Sequence, residues 1–138
     1  MRIHNVSIVG MGALGVMYGD FFVAKLGKEH VEFIADKARI DRFQQEGMFC
    51  NERSCDFSMA DEADETGRPA DLLIFAVKAT GLQSAIHSVR NKISRHTIIL
   101  SLLNGITSEE IIGKEYGMDP ILHRSEEHTS ELQSRFGI

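Results

Sequence analysis

The chain has 138 residues, of which 43% are hydrophobic and 25% are charged, and its formal net charge is −5. These values are typical of one soluble globular domain. The negative charge argues against nucleic acid and anionic membranes as partners, because both attract basic surfaces. No apolar segment approaches the roughly 20 residues of a membrane span, and a strand pattern occupies the N-terminus where a secretion signal would lie. We therefore expect a cytoplasmic protein.

The first predicted element is a strand over Ile3–Val9, which leads directly into the sequence GMGALG at residues 10–15. This sequence matches G-x-G-x-x-G, the pattern that follows the first strand of a dinucleotide-binding unit. Gly10 permits a tight turn, Gly12 lets a diphosphate approach the backbone, and Gly15 lets the next helix pack closely. The predicted cofactor-binding residues of this loop are Gly10, Met11, Gly12, Ala13, Leu14 and Gly15.

The spacing of apolar residues predicts a helix over Ala13–Leu26, with Phe21 and Phe22 in the core. Val31–Ala35 predicts a second strand, which ends at Asp36. Asp36 lies 21 positions after the last glycine of the loop, near the ~20-residue offset of a carboxylate that binds a ribose. The alternative is a glycine turn in another α/β fold, and the strand, helix and acid around the loop favour the dinucleotide-binding interpretation over it.

The remaining predicted elements continue the alternation of strands and helices. They are a helix over Ala38–Glu46, two brief strands within Met48–Met59, a strand over Asp71–Val77, a helix over Leu82–Ile93, a strand over Thr97–Leu103, a helix from about Thr107 and a strand from Pro120. Residues 61–68 predict a solvated connection. The alternation predicts an α/β fold, namely a Rossmann-type doubly wound and mostly parallel sheet with helices on both faces.

Ligands of such sheets bind at the carboxyl ends of the strands. This rule adds Lys78 and Asn104, which follow two predicted strands, to the glycine loop and Asp36. Lys78 would place an ammonium group beside an anion, whereas the alternative is a solvated lysine at a strand end. Asn104 can donate and accept hydrogen bonds, but Asn-Gly is also a common turn pair.

Three segments together resemble the N-terminal domain of the ketopantoate reductases, also called 2-dehydropantoate 2-reductases. They are GMGALG at residues 10–15, FAVKA at Phe75–Ala79 and LLNGI at Leu102–Ile106. The resemblance implies that the glycine loop binds the diphosphate of NADP(H) and that Lys78 and Asn104 line the cofactor and the substrate carbonyl. It implies reduction of a small 2-oxo acid to a 2-hydroxy acid in pantothenate synthesis.

Asp36 departs from the family pattern, in which many members place an arginine for the 2′-phosphate. An acid at this position favours NAD(H), whereas Lys37 and Arg39 follow it and could contact a phosphate. The sequence therefore leaves the choice between NADP(H) and NAD(H) open. The cofactor-binding set then comprises the glycine loop, Asp36, Lys37, Lys78 and Asn104.

The family's helical C-terminal domain, which carries its general acid, has no counterpart in this sequence. We therefore expect the chain to bind dinucleotide without catalysing the reaction, and we assign no catalytic residue. Two other functions stay open, a reductase of another 2-oxo acid and a stand-alone module that senses NAD(H).

The last residues predict a tail foreign to the domain. Arg124–Ser134, RSEEHTSELQS, matches a reading frame of a common sequencing-library adapter at all eleven positions. We therefore predict a dinucleotide-binding domain over residues 1–123 and a non-native tail over residues 124–138.

The cysteines and histidines predict no metal site. Cys50 and Cys55 have a spacing that is a poor zinc signal without a second pair. The alternative is a pair between them, but a cytosolic α/β protein normally keeps its thiols reduced, and we expect two reduced thiols.

Overall fold

The computed structural model of the protein describes residues 3–10, 12–46, 48–50, 53–55, 57–103 and 106–122. Its strands are β1 (Val6–Val9), β2 (Val31–Ala35), β3 (Met48–Cys50), β4 (Arg53–Cys55), β5 (Ser58–Asp61), β6 (Leu72–Phe75), β7 (Ile98–Ser101) and β8 (Ile121–Leu122). Its α-helices are α1 (Ala13–Leu26), α2 (Lys37–Glu46), α3 (Leu82–Ser88) and α4 (Ile106–Tyr116). Short 3-10 turns cover Lys28–His30, Ala79–Gly81 and Arg90–Lys92.

Six strands form one sheet in the order β5-β2-β1-β6-β7-β8, and every neighbouring pair is parallel. The chain moves outward from β1 to β2 and β5, and then returns to the other side of β1 with β6. The reversal places a crevice at the carboxyl ends of β1 and β6, where ligands of such folds bind. The predicted fold class, a Rossmann-type parallel sheet, is confirmed.

The two faces of the sheet carry separate hydrophobic clusters. Phe22 of α1 and Phe33 of β2 pack in the first cluster, whereas Ile86 of α3 and Ile112 of α4 pack in the second. The central strands are buried on both faces, and the four residues Leu72 to Phe75 of β6 are each 0% exposed. This explains why the central strands appear in the sequence as continuous apolar runs rather than as alternating patterns.

Some boundaries differ from the prediction. The structure starts β1 at Val6 rather than Ile3, because the backbone N–H groups of His4 and Asn5 donate to Asp71 Oδ2, at 2.8 and 3.0 Å, instead of joining the ladder. The predicted helix over Leu82–Ile93 ends at Ser88 and continues as a 3-10 turn.

The segment predicted to hold two brief strands contains three. The strands β3 and β4 pair as an antiparallel hairpin, in which Met48 lies opposite Cys55 and Cys50 lies opposite Arg53. The third strand, β5, joins the parallel sheet beside β2. The sequence Ser-Met-Ala-Asp of β5 gave no clear strand signal, since it contains neither a β-branched nor an aromatic residue.

Helix α1 buries only part of its apolar surface. Phe22 is 1% exposed, as predicted for a core residue, but Phe21 is 42% exposed and its predicted core position is wrong. Leu14 and Met17 lie on the same exposed face as Phe21. The small residues Gly15 and Gly19 are buried instead, because they allow the helix backbone to approach the sheet.

Candidate cofactor-binding site

The turn after β1 packs directly on the segment that follows β6. Gly10 has a φ of +104°, a backbone conformation that side chains disfavour, and a Cβ there would lie 2.5 Å from the carbonyl carbon and oxygen of Ala76. The amide N–H of Ala76 donates to the carbonyl of Val9 at 2.8 Å. These contacts require glycine at position 10 and fix the turn at the crevice between β1 and β6.

Gly15 allows α1 to begin immediately beside this turn. A Cβ at Gly15 would lie 2.4 Å from the Gly10 carbonyl oxygen and 3.1 Å from Ala76 Cβ. The first turn of α1 therefore lies on the backbone of the glycine loop and points its N-terminus at the carboxyl end of the sheet.

The N-terminus of α1 has the properties of an anion-binding site. Gly12 precedes the helix in an extended conformation without a side-chain cap, and the first helical turn contains no acidic residue. A Cβ at Gly12 would meet nothing within 4 Å, so the space beside its backbone is open. Helix N-termini present unpaired N–H groups and a partial positive charge, and this geometry fits the diphosphate of a dinucleotide.

Asp36 lies at the carboxyl end of β2, the strand next to β1. Its carboxylate oxygen Oδ1 accepts the backbone N–H of Arg39 at 2.8 Å, and its carbonyl accepts the N–H of Ile40 at 3.0 Å. Asp36 is therefore the N-cap of α2. The other carboxylate oxygen, Oδ2, lies 3.9 Å from Nε of Arg39, and the Asp36 side chain is 48% exposed.

The other predicted residues lie around the same end of the sheet or outside the described residues. Lys78 is exposed and begins a 3-10 turn after β6, and its carbonyl accepts the N–H of Gly81 at 2.9 Å. Lys37 is exposed at the first position of α2. Met11 and Asn104 lie outside the described residues. The structure therefore brings the glycine loop, Asp36 and Lys78 to the carboxyl ends of three adjacent strands, β2, β1 and β6.

A cavity of about 380 Å³ lies away from this site, beside the first residues of β1, β2 and β5 and under residues 64–68. Its lining includes the carboxylates of Glu29, Glu32, Asp61 and Asp64. The hydroxyl and backbone N–H groups of Thr66 lower the pKa of Asp64 and keep this carboxyl ionised. Arg68 and Lys92 also line the cavity, and Lys92 is paired with Glu32, but the carboxylates still outnumber the cations. This charge disfavours the phosphates of a dinucleotide, so we place the cofactor at the glycine loop and not in this cavity.

Sequence reasoning missed the residues that support the site. Ala76 packs against both Gly10 and Gly15, and its small side chain after an apolar strand was the only signal. The N-cap role of Asp36 follows from an acid directly before a helix, but the predicted start at Ala38 concealed it. Within the described ranges, no cluster of three metal-binding side chains occurs and no helix has the length and apolarity to cross a membrane.

Comparison with known proteins gives one family and a group of solved structures. The model of the ketopantoate reductase PanE/ApbA family matches residues 6–138, a range that includes the predicted tail. The chain is similar to the crystal structure of 2-dehydropantoate 2-reductase from Geobacter metallireducens GS-15, with 23% identity and a TM-score of 0.66 over 90% of this chain and 44% of that one. The corresponding enzyme from Porphyromonas gingivalis W83 gives 20% identity and a TM-score of 0.64 over 88% and 45%.

A third structure, a ternary complex of D-mandelate dehydrogenase with NADH and anilino(oxo)acetate, gives 25% identity and a TM-score of 0.70 over 85% of this chain and 39% of that one. The chain thus spans about two fifths of the length of these solved relatives. With a family match that covers nearly the whole sequence and a glycine loop at the crevice of a Rossmann-type sheet, the chain belongs to the ketopantoate reductase PanE/ApbA family.

Proposed function

We propose that this chain binds a nicotinamide dinucleotide, with the diphosphate at the glycine loop and a ribose at Asp36. The observation that carries the proposal is the uncapped N-terminus of α1, which opens beside Gly12 at the crevice between β1 and β6. Backbone N–H groups at this N-terminus bind the diphosphate oxygens, and the close packing of Gly10 on Ala76 holds them in place before the ligand arrives.

The complete protein is an oxidoreductase that reduces a small 2-oxo acid. The nicotinamide supplies the hydride when it is bound, and the protein positions it against the substrate carbonyl. Lys78 places its ammonium group at the end of β6, where it attracts the anionic groups of cofactor or substrate. The sequence pattern assigns Asn104 a further polar contact through its amide. In this proposal the substrate is ketopantoate, the reaction belongs to pantothenate synthesis in the cytoplasm, and the isolated chain does not turn over substrate.

One observation favours a second substrate within the same class. D-mandelate dehydrogenase, which shares 25% identity with this chain, is named for mandelate, a 2-hydroxy acid with an aryl substituent, and its structure holds NADH and anilino(oxo)acetate. The second candidate is therefore a reductase of an aryl-substituted 2-oxo acid. The same cofactor-binding residues serve both candidates, so the choice between them depends on substrate contacts beyond the glycine loop.

Gly12→Asp tests dinucleotide binding. Its extended backbone and the open space beside it accommodate an aspartate, and aspartate is a favourable N-cap, so the free energy of unfolding should stay equal or rise by up to ~1 kcal/mol. The new carboxylate occupies the diphosphate position, so the affinity for NADH and NADPH should fall at least about 100-fold. Calorimetric titration measures the affinity, and urea unfolding measures the stability.

Gly12→Ser is the matched control, since it adds a neutral cap of similar size. It should retain stability and lose less affinity than Gly12→Asp. Equal affinity of Gly12→Asp and the parent chain for both coenzymes, or no heat from either coenzyme with folded parent chain, would contradict the proposal.

A further inference from the structure

We propose that Asp36 makes this chain selective for NAD(H) over NADP(H). We also propose that Arg39 would bind the 2′-phosphate of NADP(H) if the negative charge of Asp36 were removed. The inference rests on the dinucleotide site proposed above. It concerns the carboxyl end of β2, where a ribose of the bound cofactor would lie beside the glycine loop.

Two hydrogen bonds hold Asp36 in place, one at its carboxylate and one at the backbone of the preceding residue. On one side, Oδ1 accepts the Arg39 amide at 2.8 Å and closes the first turn of α2. On the other side, the carbonyl of Ala35, the buried last residue of β2, accepts the N–H of Glu62 at 3.0 Å. If the carboxylate turned away from an incoming phosphate, the Arg39 amide would lose its capping partner. The negative charge therefore stays at the strand end in the presence of either coenzyme.

The remaining oxygen of Asp36 is suited to hydroxyl donors. Oδ2 belongs to a side chain that is 48% exposed, and among the residues that the structure describes it lies 3.9 Å from Arg39 Nε, beyond hydrogen-bond distance. A ribose with free 2′- and 3′-hydroxyls can donate hydrogen bonds to this oxygen. A 2′-phosphate carries additional negative charge and would instead face the carboxylate across a few ångströms, where like charges repel.

Arg39 and Lys37 are the cations that oppose this repulsion. The Arg39 side chain is 67% exposed and its guanidinium lies beside Asp36 Oδ2, so solvent screens it and the carboxylate offsets part of its charge. Lys37 is also exposed. To bind here, a 2′-phosphate would have to separate Arg39 from Asp36 and still lie close to the carboxylate. The negative charge of Asp36 therefore determines the preference for NADH over NADPH.

Asp36→Asn removes the negative charge of the side chain and retains an oxygen that can cap α2. Asparagine caps helices about as well as aspartate, so the variant should keep its midpoint of urea unfolding while it loses the charge and frees Arg39. The parent chain should bind NADH at least about tenfold more tightly than NADPH, and Asp36→Asn should lower this ratio at least about tenfold, mainly through tighter NADPH binding.

A second variant tests the role of Arg39. Asp36→Asn combined with Arg39→Gln retains the backbone N–H that is capped but removes the guanidinium, so the gain in NADPH affinity should disappear. Lys37→Gln in the Asp36→Asn background is the matched control and should retain most of that gain. All affinities are measured by calorimetry at one ionic strength, because screening changes the repulsion.

The outcomes distinguish this inference from the proposed function. Absence of binding of both coenzymes to the folded parent chain would overturn the dinucleotide site itself. Binding of both coenzymes with equal affinity, a preference for NADPH, or an unchanged ratio in Asp36→Asn would overturn only the role of Asp36. Retention of the NADPH gain in the double variant would overturn the role of Arg39.

Discussion

The two ends of the parallel sheet use their polar residues differently. At the amino end, Asp71 accepts the backbone N–H groups of His4 and Asn5, and Thr97 Oγ1 donates to the Ala70 carbonyl at 2.6 Å. At the carboxyl end, α1 begins without a side-chain cap and Lys78 is exposed. These polar groups at the amino end therefore stabilise the fold, whereas the N-terminus of α1 and the ammonium group of Lys78 at the carboxyl end remain available to a ligand.

The ion pair of buried Lys92 with partly exposed Glu32 is the strongest example of the amino-end arrangement. Lys92 is 4% exposed, and its Nζ lies 2.9 Å from Glu32 Oε1, which also accepts the hydroxyl of Ser7 at 3.2 Å. Gly67 covers the ammonium so closely that a Cβ there would lie 2.4 Å from Nζ. This pair joins the 3-10 turn before β7 to the second residue of β2.

Lys92→Met should produce the largest change in stability without a change in binding. The substitution retains the aliphatic packing and leaves the partly exposed Glu32 carboxylate without its cation, so the free energy of unfolding should fall by about 1–3 kcal/mol. Urea unfolding measures the loss. The affinity for NADH should stay within about twofold of the parent value, because the pair lies at the opposite end of the sheet.

Glu32→Gln is the partner control, and the double variant completes a thermodynamic cycle. The double variant should be more stable than the sum of the single losses predicts, since no buried charge is left unpaired. Additive losses would contradict the coupling between Lys92 and Glu32. A large fall in NADH affinity in Lys92→Met would contradict the proposed division between the two ends of the sheet.

Lys78→Gln should have the reverse effect at the carboxyl end. The exposed side chain contributes little to the fold, so stability should change by less than about 0.5 kcal/mol. Loss of one positive charge beside the cofactor should weaken dinucleotide binding by about 1 kcal/mol, or roughly fivefold. Calorimetry at two salt concentrations tests the electrostatic origin. An affinity equal to that of the parent at low salt would remove Lys78 from the site.

A substitution at Tyr116 should have the smallest effect, and this effect should depend on pH. Its hydroxyl donates to the carbonyl of Ile86 at 2.5 Å and joins α4 to α3, and burial raises the pKa of the phenol. Because the folded pKa lies above the unfolded value of about 10, the contribution to stability is complete below about pH 10 and is lost as the pH rises through the folded value.

Tyr116→Phe should therefore lower the free energy of unfolding by up to about 1 kcal/mol at neutral pH. The variant should also lose less stability than the parent chain between pH 9 and 11. Urea unfolding across that range measures both effects. A parallel decline of parent and variant would exclude a contribution from the phenol.

Most of the fold could be predicted from the sequence because local signals agree with the tertiary structure. The bounds of α1 and β2 follow from the glycine loop, from Gly27 and from an apolar run that is buried on both faces. The position of β5 could not be predicted, since its strand conformation depends on pairing with β2 rather than on its own residues.

The candidate site was predictable in its backbone and less so in its side chains. A Cβ at Gly10 or Gly15 would overlap the backbone of Ala76 or of Gly10, which agrees with the glycine pattern at those two positions. At the opposite end of the sheet, Lys92 escaped prediction because lysines are rarely buried, and its partner Glu32 lies 60 residues earlier in the chain. The exposed face of α1, with Phe21, was equally hidden, because apolar spacing does not reveal which face of a helix meets the sheet.

The contact between Gly10 and Ala76 has a consequence for how coenzyme use can diversify. The backbone of Gly10 lies directly against the backbone of Ala76, so position 10 accommodates no residue with a side chain. Substitution of this glycine is therefore excluded. The start of α2 is open to solvent and accepts several polar residues as caps. Under the proposed assignment, substitutions at the few positions that follow β2 would exchange one coenzyme for the other, while the diphosphate-binding turn stays unaltered.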